Sequence, residues 1–225
     1  MTLESRPNPI SMHSRKPAGG THFFFALKPD EKARVEIANI SERFRKTHRL
    51  IGSAVDSDDF HLTLVDMGRP ERLQQSLEDA LVAAAEEVCI KGFEIVLDSA
   101  MRLSATKDGN FPFVLCADNT STGLAMKLRR AIADAQHRHG LQVLGVSNYL
   151  PHVTVLRGGT IDAVQESMAP IRWNVHEFVL IRSFFGQSRH EVMGRWPLIG
   201  EAEPESLDWL AELDALGKID LPIDE

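Results

Sequence analysis

The stretch "FHLTLV", residues 60 to 65, sets a histidine and a threonine two apart inside an apolar run, and "PHVTVL", residues 151 to 156, does so again. Successive side chains of a strand point to opposite faces. His61 and Thr63 therefore share one face, while Leu62 and Leu64 share the other and belong to the core. The same holds for His152 and Thr154 against Val153 and Val155. Each strand turns an imidazole and a hydroxyl away from the core. If the two strands lie side by side, both pairs face one groove.

The rest of the chain supplies the setting. "HFFFAL", 22 to 27, ends at Lys28-Pro29 and reads as a buried strand. Ala33, Ile37, Ile40 and Phe44 recur at helical spacing behind Pro29 and Asp30, so a helix follows. Leu73, Leu77, Ala80, Leu81, Ala84 and Val88 form the stripe of a second amphipathic helix behind Pro70. "FEIVLDSAMRLSAT" and "FPFVLCA" predict strands around the turn "KDGN". Ser121 or Thr122 is the expected cap of a helix buried through Leu124, Leu128, Ala131 and Ala135 and ending at Gly140. A short helix is expected over residues 161 to 168. "EFVLIRSFF" and "HEVMGRWPL" predict a closing hairpin around "GQSR". The order predicts an α+β fold of two lobes, each with helices packed on a largely antiparallel sheet. The repeated motif strand hints at a duplicated unit.

Length and charge bound the partners. The chain has 225 residues, 43% hydrophobic, enough for one sizeable core. Its net charge of −7 is uneven: residues 201 to 225 hold nine acids and one base. The other 200 residues carry 23 acids and 24 bases. A neutral body suits a short anionic ligand in a local pocket and gives no long footprint on a DNA duplex. Residues 1 to 20, rich in Ser, Pro, Gly and base, read as a disordered arm. Residues 21 to 199 read as the two-lobed domain. Residues 200 to 225 read as an acidic tail with one amphipathic helix, Ser206 to Leu216, carrying Trp209, Leu213 and Leu216 on one side. The basic start lacks the apolar core of a secretory signal, and no apolar run spans a membrane, so a cytoplasmic protein is expected. Cys89 and Cys116 form no C-x-x-C pair and read as buried thiols.

Two imidazoles and two hydroxyls on one face suit phosphodiester chemistry. Splitting a cyclic phosphate needs a base to activate water and an acid to protonate the leaving oxygen. An unperturbed histidine, with a pKa of about 6.5, serves either role near neutral pH. Rings on opposite sides of the phosphorus allow in-line attack. Threonine hydroxyls can donate to the non-bridging oxygens, where negative charge sits in the transition state. A single His-x-Thr on a strand carries little weight, because threonine favours strands anyway. Two copies with matched apolar surroundings and glycine-terminated ends carry much more.

With these motifs the sequence resembles the two-histidine phosphoesterases, and within them the LigT-like RNA 2′,3′-cyclic phosphodiesterases, also called 2′-5′ RNA ligases. The resemblance covers residues 22 to about 198. It rests on "FFFALKP", "FHLTLVDMG", "PHVTVLR" and the terminal "EFVLIRSFF…GRWPL". It implies a bilobal, pseudo-symmetric fold of two antiparallel sheets with outer helices around a central cleft. It implies hydrolysis of a 2′,3′-cyclic phosphate, on an RNA end or a small cyclic nucleotide, to a 2′-phosphomonoester. In some members it implies reversible 2′-5′ joining of RNA ends. Carried over, His61 is the acid for the 3′ leaving oxygen and His152 the base that positions water. Thr63 and Thr154 are phosphate donors, and Arg157, five past the second histidine, matches a phosphate-binding arginine. No cofactor and no metal are implied, and a monomer is expected. A non-catalytic nucleotide-binding module on the same fold is the reading from another class.

The chain departs from the pattern at three positions. Asp66 stands where many relatives carry a phenylalanine able to stack on a base. Asp59 replaces an asparagine two before the first histidine, and His190 stands at the tyrosine of the last hairpin. An acid near the site disfavours a long phosphate chain. Phe25 and Phe185 are candidates to stack on a base, with core packing the stronger expectation for either. His190 is a further candidate, either entering the cleft or sitting on the surface. His137 and His139 end a helix, where the dipole favours a cation, and are not expected to hold a metal. His22 and His176 begin strands and read as structural.

Overall fold

The computed structural model describes residues 20–67, 75–104, 111–141, 149–158, 165–184 and 189–199. Its elements are β1 (Thr21–Leu27), α1 (Glu31–Thr47), β2 (Gly52–Ala54), β3 (Leu62–Asp66), α2 (Gln75–Glu86), β4 (Phe93–Arg102), β5 (Phe111–Ala117), α3 (Asn119–Arg138), β6 (His152–Gly158), β7 (Gln165–Val175), β8 (Glu177–Phe184) and β9 (Arg189–Pro197). All paired strands are antiparallel. The α+β expectation is met, but the expected two sheets are one. A single nine-stranded sheet runs β7-β4-β5-β6-β3-β1-β8-β9, with β2 added alongside β6. The two motif strands, β3 and β6, are central neighbours. Their ladder holds one registered pair, Leu62 opposite Val153, so the sheet is continuous there by a narrow seam.

One face of the sheet carries the main core. Phe23, Phe25 and Leu27 from β1, Leu62 and Leu64 from β3, and Val153 and Val155 from β6 meet Ala33 and Ile37 of α1, Leu81 of α2, and Leu128 and Ile132 of α3. The opposite face keeps a smaller buried cluster of Phe24, Ala26, Val179 and Ile181. The alternation of β1 divides "FFFAL" between the two clusters. Asp30 caps α1 by accepting from the Ala33 N–H at 2.8 Å. Asp118, rather than Ser121 or Thr122, caps α3 by accepting from the Ser121 N–H at 2.7 Å. Ser121 lies inside the helix, and its Oγ accepts from the Val96 N–H at 2.8 Å. Gly140 follows α3 at φ +73°, the left-handed position where glycine is least strained.

Two further expectations are corrected. The helix over 161–168 is replaced from Gln165 onward by edge strand β7, in which Ile171, Trp173 and Val175 are buried and Arg172 and Asn174 exposed. Pro170 disfavours a helical residue before it, and an edge strand tolerates its missing N–H. Cys116 is buried as expected, but Cys89 is exposed. The N-terminal arm up to residue 19, the tail helix and Phe185 lie outside the described residues. Among the described residues no helix is long and apolar enough to cross a membrane.

Candidate active site

Leu62 and Val153 are both fully buried, which sends their neighbours to the other face. Counting antiparallel from that pair sets His61 opposite Thr154 and Thr63 opposite His152. Each imidazole thus has the other motif's hydroxyl as its cross-strand neighbour. All four side chains are half-buried. The two histidines are held alike. Nδ1 of His61 lies 2.7 Å from the carbonyl of Asp59, and Nδ1 of His152 lies 2.7 Å from the carbonyl of Leu150. A carbonyl only accepts, so each Nδ1 carries a proton and each neutral ring keeps its lone pair on Nε2.

The motif strands share a second device. In β3 the register with β1 skips Leu64, and in β6 the register with β5 skips Val155. Each skipped residue stands three past its histidine. A bulge shifts the alternation by one, so Leu64-Val65 and Val155-Leu156 are consecutive buried pairs. The next residue of each strand, Asp66 and Arg157, returns to the site face. Strict alternation from His152 would point Arg157 at the core. The carbonyls of the skipped residues find partners outside the β1–β3 and β5–β6 ladders. Arg129 of α3, itself buried, donates from Nη1 to the Leu64 carbonyl. The Val55 N–H donates to the Val155 carbonyl at 3.0 Å. Tyr149 donates its hydroxyl to the Thr63 carbonyl at 2.9 Å, with the Arg129 guanidinium 4.7 Å over its ring. Burial pushes the Tyr149 phenol up, so it stays a donor. This bond ties the lead-in of one motif strand to the other beside the narrow seam.

The surroundings are cationic on one side. Burial, first, and then His190, Arg157 and Lys28 press the His61 pKa down to about 4, against the raising effect of its bond to Asp59. Burial also lowers His152. His190 reaches the site: its ring centroid is 5.4 Å from that of His61, and its Nδ1 is 3.4 Å from Asp59. Burial lowers His190 as well, Asp59 opposing and Arg157 and Lys28 reinforcing. On the other side His22, expected to be structural, has Nε2 2.5 Å from Asp66.

Phe25 does not offer its ring to a base. It is fully buried, with ring centroids 5.9 Å from Phe178 and 6.1 Å from Trp196. Its neighbour Phe24 is the aromatic of the site, 4.9 Å from His61 and 5.8 Å from His190. Sequence reasoning passed over Phe24, Lys28, Arg129 and Tyr149. Period-two alternation in β1 would have picked out Phe24 once one of its neighbours was assigned to the core. His139 pairs with Glu87 at 2.7 Å, as does Arg138 at 2.8 Å. Among the described residues no cluster of three or more His, Cys, Asp or Glu could hold a metal ion. Two imidazoles with free Nε2 lone pairs, two hydroxyls, a guanidinium and an ammonium are groups able to attract an anion and to take up or release protons.

A model of the 2'-5' RNA ligase superfamily matches residues 29–183. The fold is similar to that of E. coli LigT complexed with 3'-AMP, at TM-score 0.63 and 23% identity over 80% of this chain and 98% of that one. It is similar to TT0787 of Thermus thermophilus, at TM-score 0.61 and 20% identity over 80% of this chain and 100% of that one. No curated protein sequence matches the chain.

Proposed function

The chain belongs to the 2'-5' RNA ligase superfamily, and from that premise we propose that it hydrolyses a 2′,3′-cyclic phosphate to a 2′-phosphomonoester without a metal, using His61 and His152 as acid and base. The observation that carries this reading is the crossed quartet, with each imidazole opposite the other motif's threonine and each Nδ1 bonded to the carbonyl two residues before it. In the proposed step, water loses a proton to Nε2 of His152 as its oxygen bonds to phosphorus. The P–O3′ bond breaks, and O3′ takes the proton from Nε2 of protonated His61. The phosphate stays on O2′. His152 then returns its proton to solvent, and His61 regains one. Thr63 and Thr154 donate to the non-bridging oxygens as charge builds on them.

Protonation of His61 is coupled to substrate. Burial lowers its pKa first and Arg157 and Lys28 add to the lowering; those two cations are the ones a phosphate anion would pair with. The incoming charge offsets them and favours the imidazolium, so acid and substrate arrive together. The small cyclic nucleotide is the favoured substrate class. The cationic side suits one phosphate, whereas Asp66 on the same face repels a second. E. coli LigT has been crystallised with 3'-AMP and with ATP, which supports a nucleotide-sized ligand here.

The test is turnover of 2′,3′-cyclic AMP and of a short RNA ending in a 2′,3′-cyclic phosphate, run in EDTA beside His61→Ala and His152→Ala. Hydrolysis to the 2′-phosphate that is lost in both variants is expected. Activity abolished by chelation, or unchanged in either folded variant, overturns the mechanism.

A further inference from the structure

On the helix-covered side of the sheet, a depression of about 540 Å³ lies between α3 and the segment 89–93. Its apolar lining is Ile90, Phe93, Leu124 and Ala131, all half-buried. Lys91, Lys127 and Arg130 also line it and are exposed. None of these three cations is ion-paired among the described residues, although Asp134 lines the same depression. Its volume is within the roughly 300–1,000 Å³ range of sites that bury a ligand. The proposed chemistry, on the other face of the sheet, makes no use of it.

We propose that this depression is the docking site of the chain's own acidic C-terminal segment, which lays Trp209, Leu213 and Leu216 against the apolar lining and its carboxylates against Lys91, Lys127 and Arg130. The described chain ends at the site. Ile199, 81% exposed, bridges to Lys91, which lines the depression. Only six residues separate Ile199 from Ser206, a reach of up to about 20 Å when extended. Such a short tether raises the effective concentration of the segment to about the millimolar range. Complementarity is of both kinds. Nine acids and one base face three exposed cations, and residues spaced i, i+4 and i+7 form one apolar stripe. A body of otherwise balanced charge offers this segment a basic partner here.

The depression carries its own reporter, because Cys89 lines it and is exposed while Cys116 is buried. In the full chain, Leu213→Cys is to be compared with Ala211→Cys, equally tethered but on the opposite side of the helical pattern. Mild oxidation with diamide, at dilution, is followed by mass spectrometry. An intramolecular disulfide from Cys89 to the introduced thiol is expected to form at least ten times faster in the Leu213→Cys variant than in the Ala211→Cys variant. Adding Lys127→Glu and Arg130→Glu, or high salt, is expected to slow it by a similar factor. Circular dichroism and maleimide labelling of Cys89 confirm that each variant is folded and its thiol reactive. Equal rates for the two variants would mean a free tether and overturn the proposal. So would disulfide-linked dimers as the main product, which would assign the depression to a second copy, or a rate indifferent to charge reversal.

Discussion

Burial of both imidazoles, reinforced at His61 by the cations around it, has a consequence for pH that separates the free site from the loaded one. His61 is held at about 4, and His152 is held below its ordinary 6.5. Two-imidazole catalysis needs one ring protonated and one neutral, and kcat/KM follows the population of that state in the free protein. The population is greatest between the two pKa values. It falls about tenfold per unit above the upper one, whichever ring holds the proton. Because the upper value lies below 6.5, kcat/KM for 2′,3′-cyclic AMP is expected to drop by roughly 100-fold between pH 6.5 and 8.5. kcat reports the loaded site, where the phosphate anion favours both imidazoliums, so its optimum is expected at higher pH. Arg157→Gln acts in two ways. It removes a cation that lowers His61, so the acidic limb of kcat/KM moves upward from about 4. It also removes a charge-assisted bond to phosphate worth about 1.5–3 kcal/mol, a loss of roughly 10- to 100-fold in kcat/KM. The assay is a pH series of initial rates for the wild type and Arg157→Gln at saturating and limiting substrate. A wild-type kcat/KM that is flat or rising from pH 6.5 to 8.5 would refute this account. So would an acidic limb that stays in place in the variant.

Three shorter predictions follow from the same geometry. Tyr149→Phe leaves the Thr63 carbonyl without its hydroxyl donor and is expected to cost about 1–3 kcal/mol in urea unfolding; it should also lower kcat more than it raises KM, because the bond spans the seam between the motif strands. Thr63→Val and Thr154→Val, nearly isosteric, are each expected to reduce kcat by roughly 10²- to 10³-fold, as loss of an oxyanion donor does, with thermal unfolding little changed. His61→Gln is expected to gain stability relative to wild type as pH falls from 6.5 toward 4. Across that window the unfolded imidazole takes a proton that the folded one at about 4 refuses, and thermal melts at pH 7 and pH 5 measure the difference.

The elements that were legible in the sequence are those whose pattern is local. Strand alternation assigned Leu62 and Val153 to the core and their neighbours to the opposite face, and helical spacing located α1, α2 and α3. What was not legible depended on partners far along the chain. Phe24 and Phe25 are chemically identical, and only the register of β1 with β8, which sets Phe24 opposite Ile181, decides which joins the smaller cluster beside His61. Pairing on β4 made Gln165–Val175 a strand, although its first residues carry no alternation. Cys89 follows an apolar run but falls just past α2, where the chain turns outward, and its exposure is a matter of that turn. The seam between β3 and β6 has no signature at all, since one registered pair leaves no mark on composition.

The bulges extend the repeat beyond the three residues of His-x-Thr. Histidine, threonine, a skipped residue and then a charged residue on the site face occur in the same order in β3 and β6, at offsets of two, three and five from the histidine. A bulge costs a ladder bond at its skipped residue, and each strand answers with its own donor, Arg129 in one and the Val55 N–H in the other. The backbone device is therefore repeated, while the chemistry at its end is opposite in sign. Arg157 extends from the seam in one direction and Asp66, with His22, in the other. Antiparallel pairing thus puts a guanidinium at one end of the site and a carboxylate, bonded to His22, at the other. On the proposed chemistry, a phosphate seated over the threonines would be drawn toward Arg157, and the uncharged part of the substrate would lie toward Asp66. On this geometry Asp66→Asn should relieve repulsion and improve kcat/KM for a substrate that carries a second phosphate, while leaving 2′,3′-cyclic AMP nearly unchanged. An equal effect on both substrates, measured side by side, would show that Asp66 does not face the bound chain.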